Sequence, residues 1–143
     1  MKTRHILISA ILALFSSIAV AGLVSPVEVV IDDNNKFAHG DMWTARTADN
    51  NVEAIGCGIK LEDVGAGGVS TFGFCQAVDA DDVYVGCITF NEELVEAIKS
   101  ISDFSYILFS WDENGECTRI DISTQSVYLP KFKVKKDMDD DDD

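Results

Sequence analysis

The chain has 143 residues, 47% of them hydrophobic, and sets 25 acidic against 11 basic residues for a net charge of −14. That length bounds it to a single domain of ordinary size. The acidic excess makes nucleic acid and anionic membranes poor partners, since binding either relies on Lys and Arg to neutralise phosphate; it reads first as a surface that keeps the protein dispersed, and otherwise as one suited to a basic protein or a divalent cation.

Lys2 and Arg4 precede an apolar run from Ile6 to Val20, and Ala19-Val20-Ala21 supplies the small-residue pattern at which a secretory signal is cut. Residues 1–21 are therefore expected to be a signal peptide. Its apolar part is too short for a comfortable membrane span. The remainder is expected to be exported, periplasmic or secreted, with no membrane association after cleavage. Without Lys2 and Arg4 it keeps nine basic and 25 acidic residues, a net charge of −16.

From there the chain reads mostly as short strands between turn signals. "VEVVID" (27–32) is a first strand and "DNNKFAHGD" a loop. "MWTART" (42–47) is a second strand. "VEAIGCGIKLE" (52–62) and "VSTFGFCQAV" (69–78) flank the cluster Gly65-Ala66-Gly67-Gly68. That cluster supplies positive φ at a hairpin tip. "VYVGCITF" (83–90) follows the turn 79–82. Leu94, Val95, Ile98 and Ile101 then recur at helical spacing, which predicts one amphipathic helix over 91–101. Asn91 is its N-cap, or Thr89 in a capping box with Glu92. "FSYILFSW" (104–111) and "CTRIDIS" (117–123) flank Asn114-Gly115, a type I′ hairpin signal. "SVYLP" (126–130) is the last strand. Residues 131–143, Lys-rich and then Asp-rich, are expected to be a disordered tail, because like charges repel and bury nothing. The sum is an α+β domain over 22–130: mostly antiparallel β, about seven or eight strands, a sandwich or partly open barrel, one helix and two disulfides.

The disulfides follow from the even cysteine count in an exported domain. A hairpin centred on Ala66 places Cys57 opposite Cys75, and one centred on Asp81 places Cys75 opposite Cys87. Two pairings fit: Cys57–Cys75 with Cys87–Cys117, favoured because it bridges the glycine-rich hairpin, or Cys75–Cys87 with Cys57–Cys117. Cys57–Cys87 would have to skip the middle strand. The same register sorts side chains by face. One face carries the cysteines with Ile55, Ile59, Leu61, Val69, Ala77, Val83 and Val85. The other carries Phe72, Phe74, Val78, Tyr84, Ile88 and Phe90. Both are apolar, so both are expected to be covered, one by the helix and one by the strands at 27–32, 104–111 and 117–123.

Catalytic patterns are missing. The glycine cluster has no lysine before Ser70 and no helix after it, so it is not a P-loop, and it has no third glycine for a dinucleotide fold. Phe72 stands where a nucleophile elbow needs glycine. His39 is the single histidine after residue 21 and is expected in an exposed loop near Asp41. No catalytic residue and no cofactor site is assigned. Paired carboxylates of a small hydrolase remain an alternative, and so does a calcium-binding module. For calcium the candidates are Asp79, Asp81 and Asp82; no loop fits an EF-hand. One feature is specific: Gly56 and Gly86 flank Gln76 across three strands, which reads first as bare backbone onto which the helix or aromatic rings pack closely, and otherwise as a shallow binding floor around Gln76. The expected function is a non-catalytic interaction or structural module of the cell envelope or exterior, with a cationic protein as partner.

Overall fold

The computed structural model describes residues 22–131. The expected signal peptide, and residues 132–143 of the expected tail, lie outside the described residues. Among the described residues seven strands form two open sheets, accompanied by two short helices and two disulfides. The first sheet has the order β1 (Val30–Asp32), β2 (Phe37–Asp41), β6 (Tyr106–Trp111), β7 (Cys117–Ser123). The second is β3 (Ala54–Gly65), β4 (Gly68–Val78), β5 (Tyr84–Thr89). All pairings within the sheets are antiparallel. Helix α1 (Met42–Thr47) follows β2, α2 (Glu92–Ile98) lies between β5 and β6, and Ser126–Tyr128 is a single 3₁₀ turn. The expected α+β, antiparallel class holds, with the sheets packed face to face and not closed.

The register of the second sheet is the one the cysteine spacing dictates: Cys57 opposite Cys75, and Cys75 opposite Cys87. The bonds formed are Cys57–Cys75 and Cys87–Cys117. At the β3–β4 tip Ala66 and Gly67 both have positive φ, 48° and 80°, as a type I′ turn requires. A bulge between Asp63 and Gly65 absorbs one extra residue before the tip.

Four local expectations are corrected. "MWTART" is α1, not a strand. The Asp41 carboxylate accepts from the Thr44 backbone N–H and caps the helix, outweighing the β-branched and aromatic residues that suggested a strand. "FAHGD", expected as loop, is β2, a central strand whose Gly40 lets the segment at Val29 pass close to its backbone. The strand at 27–32 shrinks to Val30–Asp32, because the Val27 N–H and C=O are used by the Asp41 side chain and backbone. "SVYLP" is the 3₁₀ turn. The turn before β7 also differs: positive φ is found at Gly115 and not at Asn114, so it is not type I′. Asp112 organises it, accepting from the Asn114 and Glu116 N–H groups.

The core lies between the sheets. Ala38, Ile107, Phe109, Trp111 and Ile120 of the first meet Ile55, Cys75, Ala77 and Cys87 of the second. Phe109 and Ile107 are fully buried, each stabilising by about 1.5–3 kcal/mol relative to exposure. Helix α2 adds Val95 and Ile98 to the same side, above Gly73, where a Cβ would lie 2.5 Å from Ile98 Cδ1.

Candidate functional site

Strand β4 distributes its side chains against the usual rule. Gly73, Cys75 and Ala77 point into the core, and all three are buried. Phe72, Phe74, Gln76 and Val78 point the other way. The small residues face inward because α2 and the first sheet both close onto that side. Gly73 makes room for Ile98, and Cys87 ties β5 to β7 there. The expectation that each face would be covered is therefore overturned. Helix and strands share one face, and the other is open.

That open face has a readable grid. Across the strands run Ala54–Val78–Tyr84, then Gly56–Gln76–Gly86, then Gly58–Phe74–Ile88, then Lys60–Phe72, with Phe90 beyond the end of β5. Tyr84, Ile88 and Phe90 are 65%, 48% and 66% exposed. The rings lie down on bare backbone where glycine permits it. A Cβ on Gly58 would sit 2.6 Å from Phe74 Cζ, and one on Gly86 would sit 2.8 Å from the Tyr84 hydroxyl. Above Gly56 there is open space. Phe72 meets Phe90 with ring centroids 5.7 Å apart, and the Lys60 ammonium stands 5.8 Å from the Phe72 ring while pairing with Glu62. The result is a shallow depression of about 400 Å³ with Gln76 in its floor and Gly115 at its side.

Gly56, Gln76 and Gly86, singled out from the sequence, do come together here. What sequence reasoning missed is that nothing among the described residues covers the aromatic residues around them: Tyr84 and Phe90 are exposed, and Phe72 and Phe74 are half-buried. It also missed the rim. The turn carrying Glu113 and Glu116 lies along β5, where the Ile88 N–H donates to the Gly115 carbonyl. Asp81 and Asp82 lie in the turn that leads into Tyr84, and Glu92 follows Phe90. All five carboxylates are exposed. Of the six cations between 22 and 131, Lys36, Lys60, Lys99 and Arg119 are already paired with acids.

Other candidates are committed to structure. The Asp79 Oδ1 accepts from the Asp81 and Val83 N–H groups, which makes 79–82 a side-chain-closed turn. Among the described residues the cluster of three potential metal-ligand side chains is Cys75, Cys87 and Cys117, whose sulfurs are held in disulfides; Asp79, Asp81 and Asp82 do not converge. A larger groove of about 670 Å³ is lined by Glu28, Asp41, Asp49 and Glu53 beside Trp43 and Tyr128. Its two inner acids hold backbone. Asp41 accepts from Val27 N–H at 2.7 Å, Thr44 N–H at 2.7 Å and the Thr44 hydroxyl at 2.6 Å. Glu53 accepts from Val29 N–H and from the Asn50 amide. His39 is not in a loop; it lies in β2, half-buried between the rings of Phe37 and Tyr106. The Glu116 backbone N–H, with smaller help from Asn114, holds the Asp112 carboxyl below its ordinary value, and Asn35 does the same for Asp32. Both carboxylates shape turns.

No protein-family model, no curated protein and no solved structure matches the chain.

Proposed function

We propose that this protein is a non-catalytic interaction module of the cell envelope or exterior, and that it binds a cationic protein on the open face of the β3–β4–β5 sheet. The observation that carries this reading is the inversion of β4, which sets its half-buried phenylalanines on the outer face beside exposed Tyr84, Ile88 and Phe90. Contiguous apolar surface of this kind marks an interaction site. The exposed acids around it select a partner of positive charge and steer its approach. The same charge disfavours a second copy of this chain as occupant. The two disulfides fit an oxidising compartment, which supports the exported setting.

The test is an NMR titration with a synthetic amphipathic Lys/Leu peptide and with a Lys/Ser peptide of equal charge. Only the Lys/Leu peptide is expected to shift the amides of Phe74, Gln76, Gly86 and Ile88, and the affinity should fall with added salt. Ile88→Ser with Phe90→Ser should weaken binding about tenfold or more through lost apolar contact, with the melting temperature nearly unchanged because both side chains are exposed. Shifts that map elsewhere, or equal binding of the Lys/Ser peptide, would overturn the assignment.

A further inference from the structure

Beneath the open face the two disulfides lie side by side. The sulfurs of Cys75, Cys87 and Cys117 are all within 4.8 Å of one another, although Cys75 is bonded to Cys57 and the other two to each other. Cys75 is the Cα partner of both Cys57 and Cys87. We propose that these four residues form a thiol–disulfide exchange site for a dithiol reductant, in which attack at Cys57 leads to a Cys75–Cys87 bond and thiols at Cys57 and Cys117.

Burial sets the order of events. Cys57 is half-buried on β3, one of the two edge strands of its sheet, whereas Cys75, Cys87 and Cys117 are 1%, 3% and 4% exposed. An external thiolate therefore meets the Cys57 sulfur first. It forms a mixed disulfide there and expels Cys75 as thiolate. That thiolate is generated among apolar side chains, where its charge is poorly solvated and a disulfide sulfur stands close by. It attacks the Cys87 sulfur, making Cys75–Cys87 and expelling Cys117. The second thiol of the reductant then releases Cys57 and leaves as a disulfide. Two electrons and two protons pass from the dithiol to the protein, and the protons end on Cys57 and Cys117. The new bond needs no backbone shift, because residues opposed on neighbouring antiparallel strands have Cα atoms about 4.5–5.5 Å apart, within the range a disulfide spans. Cys117 ends the turn that carries Glu113 and Glu116, so exchange cuts the covalent tie between that turn and β5.

The experiment treats the oxidised protein with one equivalent of dithiothreitol, quenches in acid, alkylates in denaturant and maps the peptides. Labels at Cys57 and Cys117 with a Cys75–Cys87 cross-link are expected. The variant C87A/C117A, which lacks the second acceptor, should carry its labels at Cys57 and Cys75. In the wild type, labels at Cys57 and Cys75 with Cys87–Cys117 intact would overturn the proposal. So would labels at Cys87 and Cys117 with Cys57–Cys75 intact, full reduction without the exchanged species, or no reaction.

Discussion

Asp41 shows how one buried charge can organise a whole chain segment. It is 1% exposed, and three donors converge on it: the backbone N–H of Val27, the backbone N–H of Thr44 and the Thr44 hydroxyl. Two of these are backbone groups that cannot become acceptors. An asparagine there, in either amide orientation, turns an NH₂ toward one of them. Asp41→Asn should therefore cost about 1–3 kcal/mol, the penalty for a buried donor left unpaired, despite its near-identical shape. Urea unfolding measures it, and a loss of a few tenths would mean that the clamp is not structural. Asp112 gives the matching pH expectation on the surface. Its folded pKa lies below the ordinary 3.8, first because of the Glu116 N–H. Its contribution to stability is thus present above 3.8 and is lost as the pH falls through the depressed value. Carboxyl NMR titration should place its midpoint below 3.8; a midpoint at or above that value would contradict the hydrogen-bonded turn.

Helix α2 is held to the second sheet through one notch. A Cβ on Gly73 would meet Ile98 Cδ1 at 2.5 Å, Thr89 Cγ2 at 3.3 Å and Val95 Cγ2 at 3.5 Å. Gly73→Ala should destabilise by about 1–3 kcal/mol through overpacking. Ile98→Val removes the atom in conflict, so the double variant should lose less than the sum of the singles, and a strictly additive cycle would show that the helix seats elsewhere. The same elements mark the limit of what the sequence discloses. Strand register was legible because cysteine spacing and a glycine-rich tip over-determine it, and with it the row Gly56–Gln76–Gly86. The helix over 91–101 was legible from four apolar residues at helical spacing and from Asn91, whose side chain does cap it at Glu93 and Leu94, although the helix itself spans Glu92–Ile98. Helix α1 was not, because a helix of six residues with one buried side chain, Ala45, has no periodicity to read; its signal was the pair Asp41 and Thr44. The openness of the candidate face was hidden for another reason. Alternation sorts residues into two sets but does not say which set is inside. Bulk suggested that Phe72 and Phe74 would be covered, whereas close approach of two layers selected Gly73, Cys75 and Ala77.

At the scale of the whole molecule the two disulfides are nearly equal in one respect and unlike in another. Their sequence separations are 18 and 30 residues, so loop-closure entropy assigns each about 3–4 kcal/mol and separates them by only about half a kcal/mol. Their places differ. Cys57–Cys75 joins strands already paired along the length of the β3–β4 hairpin. Cys87–Cys117 joins the two sheets, at a seam where β5 and the turn before β7 share one parallel bridge, Ile88 with Glu116, and one hydrogen bond from Ile88 N–H to the Gly115 carbonyl. Global unfolding should accordingly weaken by similar amounts in C57A/C75A and C87A/C117A. Local opening should not. With Cys57–Cys75 removed, the Ile88 amide is expected to exchange only through the same global transition as the core amides of Ile107 and Phe109. With Cys87–Cys117 removed, a route of lower free energy opens at the seam, and Ile88 should exchange well ahead of those core amides. Native-state hydrogen exchange resolves the difference at single residues. Equal protection of Ile88 in both variants would mean that the sheets are held together by the core between them, and that the covalent tie along β5 adds nothing to their alignment.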